Sequence, residues 1–271
     1  MMDANLVLGT SGVEPTDYYG EFCDKKVLIT GAAGVLGGWM ADAFARHGAH
    51  LVLCDRRVDA LADAVSKGRW ENVKTLIHQT ELRDQASMDS LVAMVEAQWG
   101  APDILINNAG VYPHSPLLDV ELDDWKAIID VNLTAPFYLI KRMAKLMIAN
   151  GVAGAMVNIL SGASVMVSPN GVPYSVSKAA LAMLTRGTAL EFAGTGIRVN
   201  GVSPGFAPGS EVSALDDDYV ASMVRSIPLG RTSGPMDSPE AVLFLCSSRA
   251  SFITGALIAV DGGRTAGPVR R

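Results

Sequence analysis

The chain alternates between short runs of consecutive apolar residues and longer stretches in which apolar positions recur three and four apart. The runs are VLIT (27–30), LVLC (51–54), VKTLIH (73–78), DILIN (103–107), AMVNIL (155–160), IRVNGV (197–202) and ALIAV (256–260). Strands that are apolar throughout, rather than at every second position, are covered on both faces, and the helical stretches between them supply parallel crossovers. The pattern predicts an α/β fold with a doubly wound, seven-stranded parallel sheet in three αβα layers. Ligands of such sheets lie beyond the carboxyl ends of the strands, near the point where strand order reverses, so chemistry is expected just after each run.

Residues 1 to about 24 follow neither period and are expected to form a mobile or surface-draped extension, leaving a single domain over 25–263 and a short tail over 264–271. A chain of 271 residues, 49% of them hydrophobic, can build one substantial core. Its net charge of −6 argues against a polyanion partner such as nucleic acid, which requires a basic surface. Cys23, Cys54 and Cys246 suit neither a disulfide framework nor a metal site, and His47, His50, His78 and His114 lack ligand spacing, so no metal is expected. No apolar run approaches the ~20 residues needed to cross a bilayer, and a cytoplasmic location follows as an expectation.

The first run leads into Thr30-Gly31-Ala32-Ala33-Gly34-Val35-Leu36-Gly37-Gly38 and then a helical stretch. Glycines let the backbone turn sharply and approach a pyrophosphate, while a helix amino terminus offers free N–H groups and partial positive charge. Gly31, Gly34, Leu36 and Gly37 are therefore candidate phosphate contacts of a dinucleotide. The second run ends at Asp55, whose carboxylate can accept hydrogen bonds from the adenosine ribose hydroxyls. A 2′-phosphate there would meet like charge, which favours NAD over NADP; Arg56 and Arg57 beside it could instead attract that phosphate.

The fifth run is followed by Ser161-Gly-Ala-Ser164 and then Tyr174-Ser-Val-Ser-Lys178 at the head of a long helical pattern. A tyrosine and a lysine at this spacing share one helix face. A phenol of pKa about 10 is a poor base at neutral pH, and the Lys178 ammonium with a cationic nicotinamide would favour its phenolate. Tyr174 could then exchange a proton with an alcohol or ketone oxygen, held by Ser161. This spacing carries weight through the strand-end signals around it.

Together these segments resemble the short-chain dehydrogenase/reductase family, in its single-domain branch of about 250 residues, over about residues 25–263. The resemblance rests on the glycine turn, Asn107-Asn108-Ala109-Gly110, Val131-Asn132, Ser161, Tyr174 with Lys178, Val202-Ser203-Pro204-Gly205, Ile253-Thr254-Gly255 and Val260-Asp261-Gly262-Gly263. It implies a Rossmann-type fold and a catalytic tetrad of Asn132, Ser161, Tyr174 and Lys178, with Asn132 shaping a helix bulge that holds a water in a proton relay to Lys178. It also implies that Tyr174 and Lys178 contact the nicotinamide ribose side, that Asn108, Ala109 and Gly110 pack beside the adenosine half, that Glu81 and Leu82 lie near the adenine edge, and that Pro204, Gly205 and Ala207 position the nicotinamide. Without the resemblance, Asn132 reads as a polar, surface-type helix residue. The chain departs from the family pattern at Val35, where the branch has glycine, at Glu81, more often Asp, and at Gly209, where a threonine is usual and Ser210 is a stand-in.

His114, Met166 and Phe206 are candidate walls of a substrate pocket for a neutral secondary alcohol or ketone, whether polyol, sugar derivative, steroid or other cyclic alcohol. The alternatives are an NADPH-dependent 3-oxoacyl-type ketoreductase and, more distantly, a non-catalytic dinucleotide sensor. The resemblance implies a homotetramer or homodimer, and the segment from Pro239 to Val260 is a candidate interface.

Overall fold

The structure, a computed structural model, describes residues 17–208 and 216–267. In chain order these form β1 (Lys26–Thr30), α1 (Val35–Arg46), β2 (His50–Asp55), α2 (Val58–Ser66), β3 (Thr75–Gln79), α3 (Gln85–Trp99) and β4 (Ile104–Asn107). There follow α4 (Leu122–Ile129), α5 (Ala135–Ala149), β5 (Ala155–Ile159), α6 (Val172–Phe192), β6 (Arg198–Pro204), α7 (Asp217–Arg225), α8 (Ser238–Cys246) and β7 (Leu257–Val260). All seven apolar runs are strands, hydrogen-bonded in parallel in the order β3-β2-β1-β4-β5-β6-β7. The order reverses between β1 and β4, which opens a crevice at their carboxyl ends.

Side chains alternate sides along each strand, so a run of consecutive apolar residues feeds two cores at once. Val27, Ile29, Leu51 and Leu53 pack with Met40 and Phe44 of α1, Leu61 of α2 and Leu243 of α8 on one face. Leu28, Val52 and Leu105 pack with Leu91 of α3, Met143 of α5 and Ala189 of α6 on the other. Each such residue contributes about 1.5–3 kcal/mol by its burial, which explains why the strands carry no polar face.

Part of the expected amino-terminal extension belongs to this core. Tyr18 is 4% exposed and Phe22 1%, and Phe22 meets Tyr18 and Phe44 edge to face with ring centroids 5.2 and 5.4 Å apart. Arg249 lies 5.0 Å over the Tyr18 ring and donates to the Asp17 carbonyl. Two aromatic residues in a turn have no period, so the hydrophobic pattern does not announce them. Residues 1–16 and 268–271, the rest of the expected extension and tail, lie outside the described residues.

Candidate active site

The glycine turn is built by contact rather than by sequence spacing alone. Gly31 adopts φ 65°, a left-handed conformation that disfavours a side chain, and a Cβ there would lie 2.7 Å from the Ala109 Cα. A Cβ on Gly37 would lie 2.3 Å from the Gly31 carbonyl oxygen. Gly34 caps α1 at φ −85° and ψ 167°, with no side-chain cap and no acidic residue in the first turn. Val35 opens the helix without displacing that cap, so the altered spacing still yields a strand, a tight turn and an electropositive helix end. Such an end suits a pyrophosphate.

Thr30, 2% exposed, joins this turn to the one after β4: its hydroxyl accepts from the N–H groups of Asn108 and Ala109, each at 3.0 Å. The Asn108 amide donates to the carbonyls of Thr30 and Gly31 at 2.9 and 3.1 Å. Asn108, Ala109 and Gly110 thus stand beside the glycine turn. Asp55 also reaches it, accepting from Ala33 N–H at 3.1 Å and from Arg57 N–H at 2.9 Å. Arg57 in turn donates to the Ala33 carbonyl at 3.0 Å. Arg56, exposed, and Glu81 line a cleft of about 570 Å³ beside this strand end. The Glu81 carboxylate is held by Arg83, whereas Leu82 turns toward the lower core.

At the other end of the crevice, Asn132, Ser161 and the Tyr174/Lys178 pair of α6 come together. Between α4 and α5 the helix widens into a π turn over Asp130–Thr134, and Asn132 sits inside it, completely buried. Its side chain accepts from Val111 N–H at 2.9 Å and donates to the Val111 carbonyl at 2.8 Å and the Ser177 hydroxyl at 3.0 Å. Ser177 donates onward to the Tyr174 carbonyl at 2.7 Å. A surface-type reading of Asn132 from its polarity alone is therefore incorrect, because these bonds satisfy the amide inside the protein. A Cβ on Gly110 would lie 3.4 Å from the Asn132 Oδ1 and 3.5 Å from the Lys178 Nζ, so both flank one backbone position.

Lys178 is 3% exposed, and its ammonium donates to the Ile159 carbonyl at 2.8 Å while standing 5.9 Å from the Tyr174 ring centroid. Burial brings its pKa down to about 8. Ser161 caps a short 3-10 turn over Gly162–Ser164, accepting from Ala163 N–H at 3.1 Å. Burial raises the Tyr174 phenol, a hydrogen bond with Ser161 draws it back, and the neighbouring Tyr112 adds to the rise. In the chain alone the phenol is thus raised by loss of hydration, whereas the expected depression concerned Lys178 acting together with a cationic nicotinamide.

The three expected pocket residues separate. His114 packs 3.7 Å from where a Gly171 Cβ would be, and Met166 is 40% exposed past Ser161. These two loops are joined by Ser115 N–H donating to the Asn170 carbonyl at 3.0 Å. Phe206 instead lines a cavity of about 520 Å³ at the ends of β6 and β7, with Gly205, Ile227, Leu229, Asp261 and Thr265. Pro204 ends β6, Gly205 N–H donates to the Val260 carbonyl at 2.7 Å, and Ala207 follows half-buried. Gly209 and Ser210 lie outside the described residues.

Thr30, Ser177 and a buried chain of amides were not singled out as site residues by sequence pattern. In that chain Asn107 donates to Asn158 at 2.8 Å and Asn158 donates to Thr185 of α6 at 2.9 Å, tying the tyrosine-bearing helix to the sheet. Their only sequence signal is a polar residue within an apolar run.

A dinucleotide cradle at a switch point, joined to a serine, tyrosine and lysine at the neighbouring strand ends, defines an oxidoreductase that uses a nicotinamide dinucleotide. A family profile described as enoyl-(acyl carrier protein) reductase matches residues 31–265. The chain is 37% identical over 247 residues to cis-4-hydroxycyclohexanecarboxylate dehydrogenase of Sinomonas cyclohexanicum, covering 90% of this chain and 98% of that one. Among solved structures it is similar to a gluconate 5-dehydrogenase of Burkholderia cenocepacia J2315 in complex with NADP and tartrate (TM-score 0.84, 32% identity, 92% of this chain and 98% of that one). It is also similar to 4-hydroxyisoleucine dehydrogenase complexed with NADH (TM-score 0.82, 32% identity, 90% of this chain and 99% of that one). The chain belongs to the short-chain dehydrogenase/reductase family. No helix among the described residues is long and apolar enough to cross a membrane.

Proposed function

We propose that this enzyme transfers hydride between NAD(H) and a ring-bearing secondary alcohol or its ketone, with Tyr174 as general acid and base and Asn132, Ser161 and Lys178 completing the site. The observation that carries this reading is the convergence of the buried Lys178 ammonium, the Ser161 hydroxyl and the Tyr174 phenol at the ends of β5 and α6. The nicotinamide ring, when bound, supplies or accepts the hydride. Gly31, Gly34, Leu36 and Gly37 would hold the pyrophosphate, and Asp55 with the Asn108–Gly110 turn the adenosine half.

Ser161 orients the substrate oxygen and Tyr174 exchanges its proton. Because burial raises the phenol, Tyr174 alone is in the protonated form that donates to a ketone oxygen. The oxidative direction requires added positive charge in the cleft, to which the Lys178 ammonium contributes. Tyr112, 50% exposed and edge-on to Tyr174 with ring centroids 6.2 Å apart, supports a ring-bearing substrate, as do the exposed Val165, Met166 and Val167 on the opposite loop. Of the substrates named for the relatives, the hydroxycyclohexanecarboxylate is a ring-bearing secondary alcohol, whereas gluconate is an open-chain one.

An NADP-linked ketoreductase is the second reading, favoured by the exposed Arg56 in the cleft beside Asp55. Asp55 weighs against it, since a 2′-phosphate would approach a carboxylate. A homotetramer or homodimer is supported by the exposed Phe137 and Ile148 of α5 and Met183 and Leu190 of α6, and by the open edge of β7 near the exposed Phe252. The unpaired, widely separated cysteines support a cytoplasmic setting.

The test is a panel of cyclic alcohols, polyols, sugar acids and hydroxysteroids with their ketones, followed by nicotinamide absorbance with NAD and with NADP. Tyr174→Phe is expected to remove most turnover and retain cofactor binding; undiminished turnover refutes the mechanism. A strong wild-type preference for NADP refutes the assignment of Asp55, and Asp55→Ala is expected to narrow the preference for NAD.

A further inference from the structure

We propose that Asp261 is a positioning residue for Ser161, acting through a Thr265 methyl group that braces the serine turn from outside. The inference rests on the functional reading above for the role of Ser161, and on separate geometry for the brace.

Asp261 follows β7 and is 7% exposed. Its carboxylate accepts from Gly263 N–H at 2.9 Å, from Thr265 N–H at 2.9 Å and from the Thr265 hydroxyl at 2.6 Å. One buried carboxylate therefore fixes both the backbone and the side-chain rotamer of Thr265. Burial alone would raise the Asp261 pKa, but the Thr265 hydroxyl and these N–H groups hold it below the usual carboxylate range, consistent with an anion satisfied on both oxygens. The turn is anchored behind as well: Leu229 N–H donates to the Gly262 carbonyl at 3.1 Å.

With its hydroxyl committed to Asp261, Thr265 presents its methyl to the serine turn. A Cβ built on Gly162 would stand 2.9 Å from the Thr265 Cγ2, so the methyl occupies the space a side chain at 162 would need. Gly162 is the residue after Ser161 and the first of the 3-10 turn that Ser161 caps. The bonds that shape this turn, Ala163 N–H to the Ser161 hydroxyl and Ser164 N–H and hydroxyl to the Ser161 carbonyl, are internal to it. They set its shape, Leu160 N–H donating to the Val202 carbonyl at 2.7 Å ties its start to the sheet, and the methyl contact adds a second reference, to β7. A serine that must hold a reacting oxygen tolerates little displacement, since a misplacement of about 1 Å can cost about a hundredfold in rate.

Three substitutions separate the contact from general stability. Thr265→Ser keeps the hydroxyl bond and deletes the methyl. Thr265→Val keeps a branched γ carbon and deletes the hydroxyl bond. Asp261→Ala removes both acceptor oxygens and with them the bonds that fix the Thr265 backbone and hydroxyl. In Thr265→Ser and Asp261→Ala we expect kcat to fall about tenfold, with cofactor Kd and thermal midpoint little changed for Thr265→Ser, and in Thr265→Val, which keeps the methyl but loses the bond that aims it, to fall by an intermediate factor of about threefold. Hydrogen exchange gives a readout independent of turnover: the amides of Ala163 and Ser164 should exchange about tenfold faster in Thr265→Ser, with those of α6 unchanged. Wild-type kcat and wild-type exchange in Thr265→Ser overturn the brace, as does a loss matched by an equal loss of cofactor affinity. If wild type turns over no alcohol or ketone, the functional reading fails, and the exchange rates still decide the brace.

Discussion

Asn132→Ala offers a quantitative test of how the site is assembled. The substitution removes three hydrogen bonds at 2.8, 2.9 and 3.0 Å from the centre of the π turn. Ser177 keeps its donation to the Tyr174 carbonyl, so it loses one acceptor interaction only. Val111 loses both partners at once, its N–H and its carbonyl. Each of these part-buried groups left unpaired costs about 1–2 kcal/mol, giving about 2–4 kcal/mol in total. At about 2–4 °C per kcal/mol for a chain of this size, the thermal midpoint should fall by about 5–15 °C. The assay is calorimetry or thermal-shift fluorescence at fixed protein concentration, alongside kcat. Asn132→Asp sharpens the comparison, because a carboxylate can still accept from Val111 N–H but opposes the Val111 carbonyl and cannot donate to Ser177. It should be destabilised at least as much as the alanine variant. A midpoint within about 1 °C of wild type for both would refute the claim that Asn132 holds the turn after β4 to α6.

Two further outcomes follow from burial. Lys178 sits at about pKa 8 in the folded chain against 10.5 in the open one; below about pH 8 both states hold the proton and the buried charge opposes folding, whereas between about 8 and 10.5 only the unfolded state keeps it, so this group's contribution to stability rises with pH. The stability advantage of Lys178→Met over wild type, measured by denaturant unfolding without cofactor, should shrink across that range by at most about 3 kcal/mol; a gap independent of pH refutes the depressed pKa. Phe22→Ala removes a ring that is 1% exposed and packed on Phe44, and should cost about 3–5 kcal/mol in the same assay; a cost below about 1 kcal/mol refutes the anchoring of residues 17–24 to the core.

The strands were legible because their physics is local: burial on both faces demands an uninterrupted apolar run, and each of the seven runs became a strand. The tyrosine and lysine were legible because their spacing and their place after a strand-end serine survive without coordinates. Asn132 was legible only through resemblance. Its burial depends on a π turn and on Val111, neither of which leaves a periodic trace. Tyr18 and Phe22 were read as part of an extension because an aromatic pair in a turn has no period, yet they close one face of the core. The Tyr174 phenol was expected to be depressed by Lys178 together with a cationic nicotinamide; in the chain alone its burial, which no sequence window contains, raises it.

Sequence by itself therefore determined the layers, the parallel connectivity and the glycine turn, because each depends on hydrophobic period or backbone freedom within a few residues. Tertiary structure alone decided the strand order, the placement of Asp55 against Ala33, the Asn132–Ser177–Tyr174 linkage and the seating of Thr265 on Gly162. Apart from the local Ser177–Tyr174 bond, those features join residues separated by tens of positions, and whether two such groups meet is settled by packing of the whole sheet rather than by the chemistry of either neighbourhood.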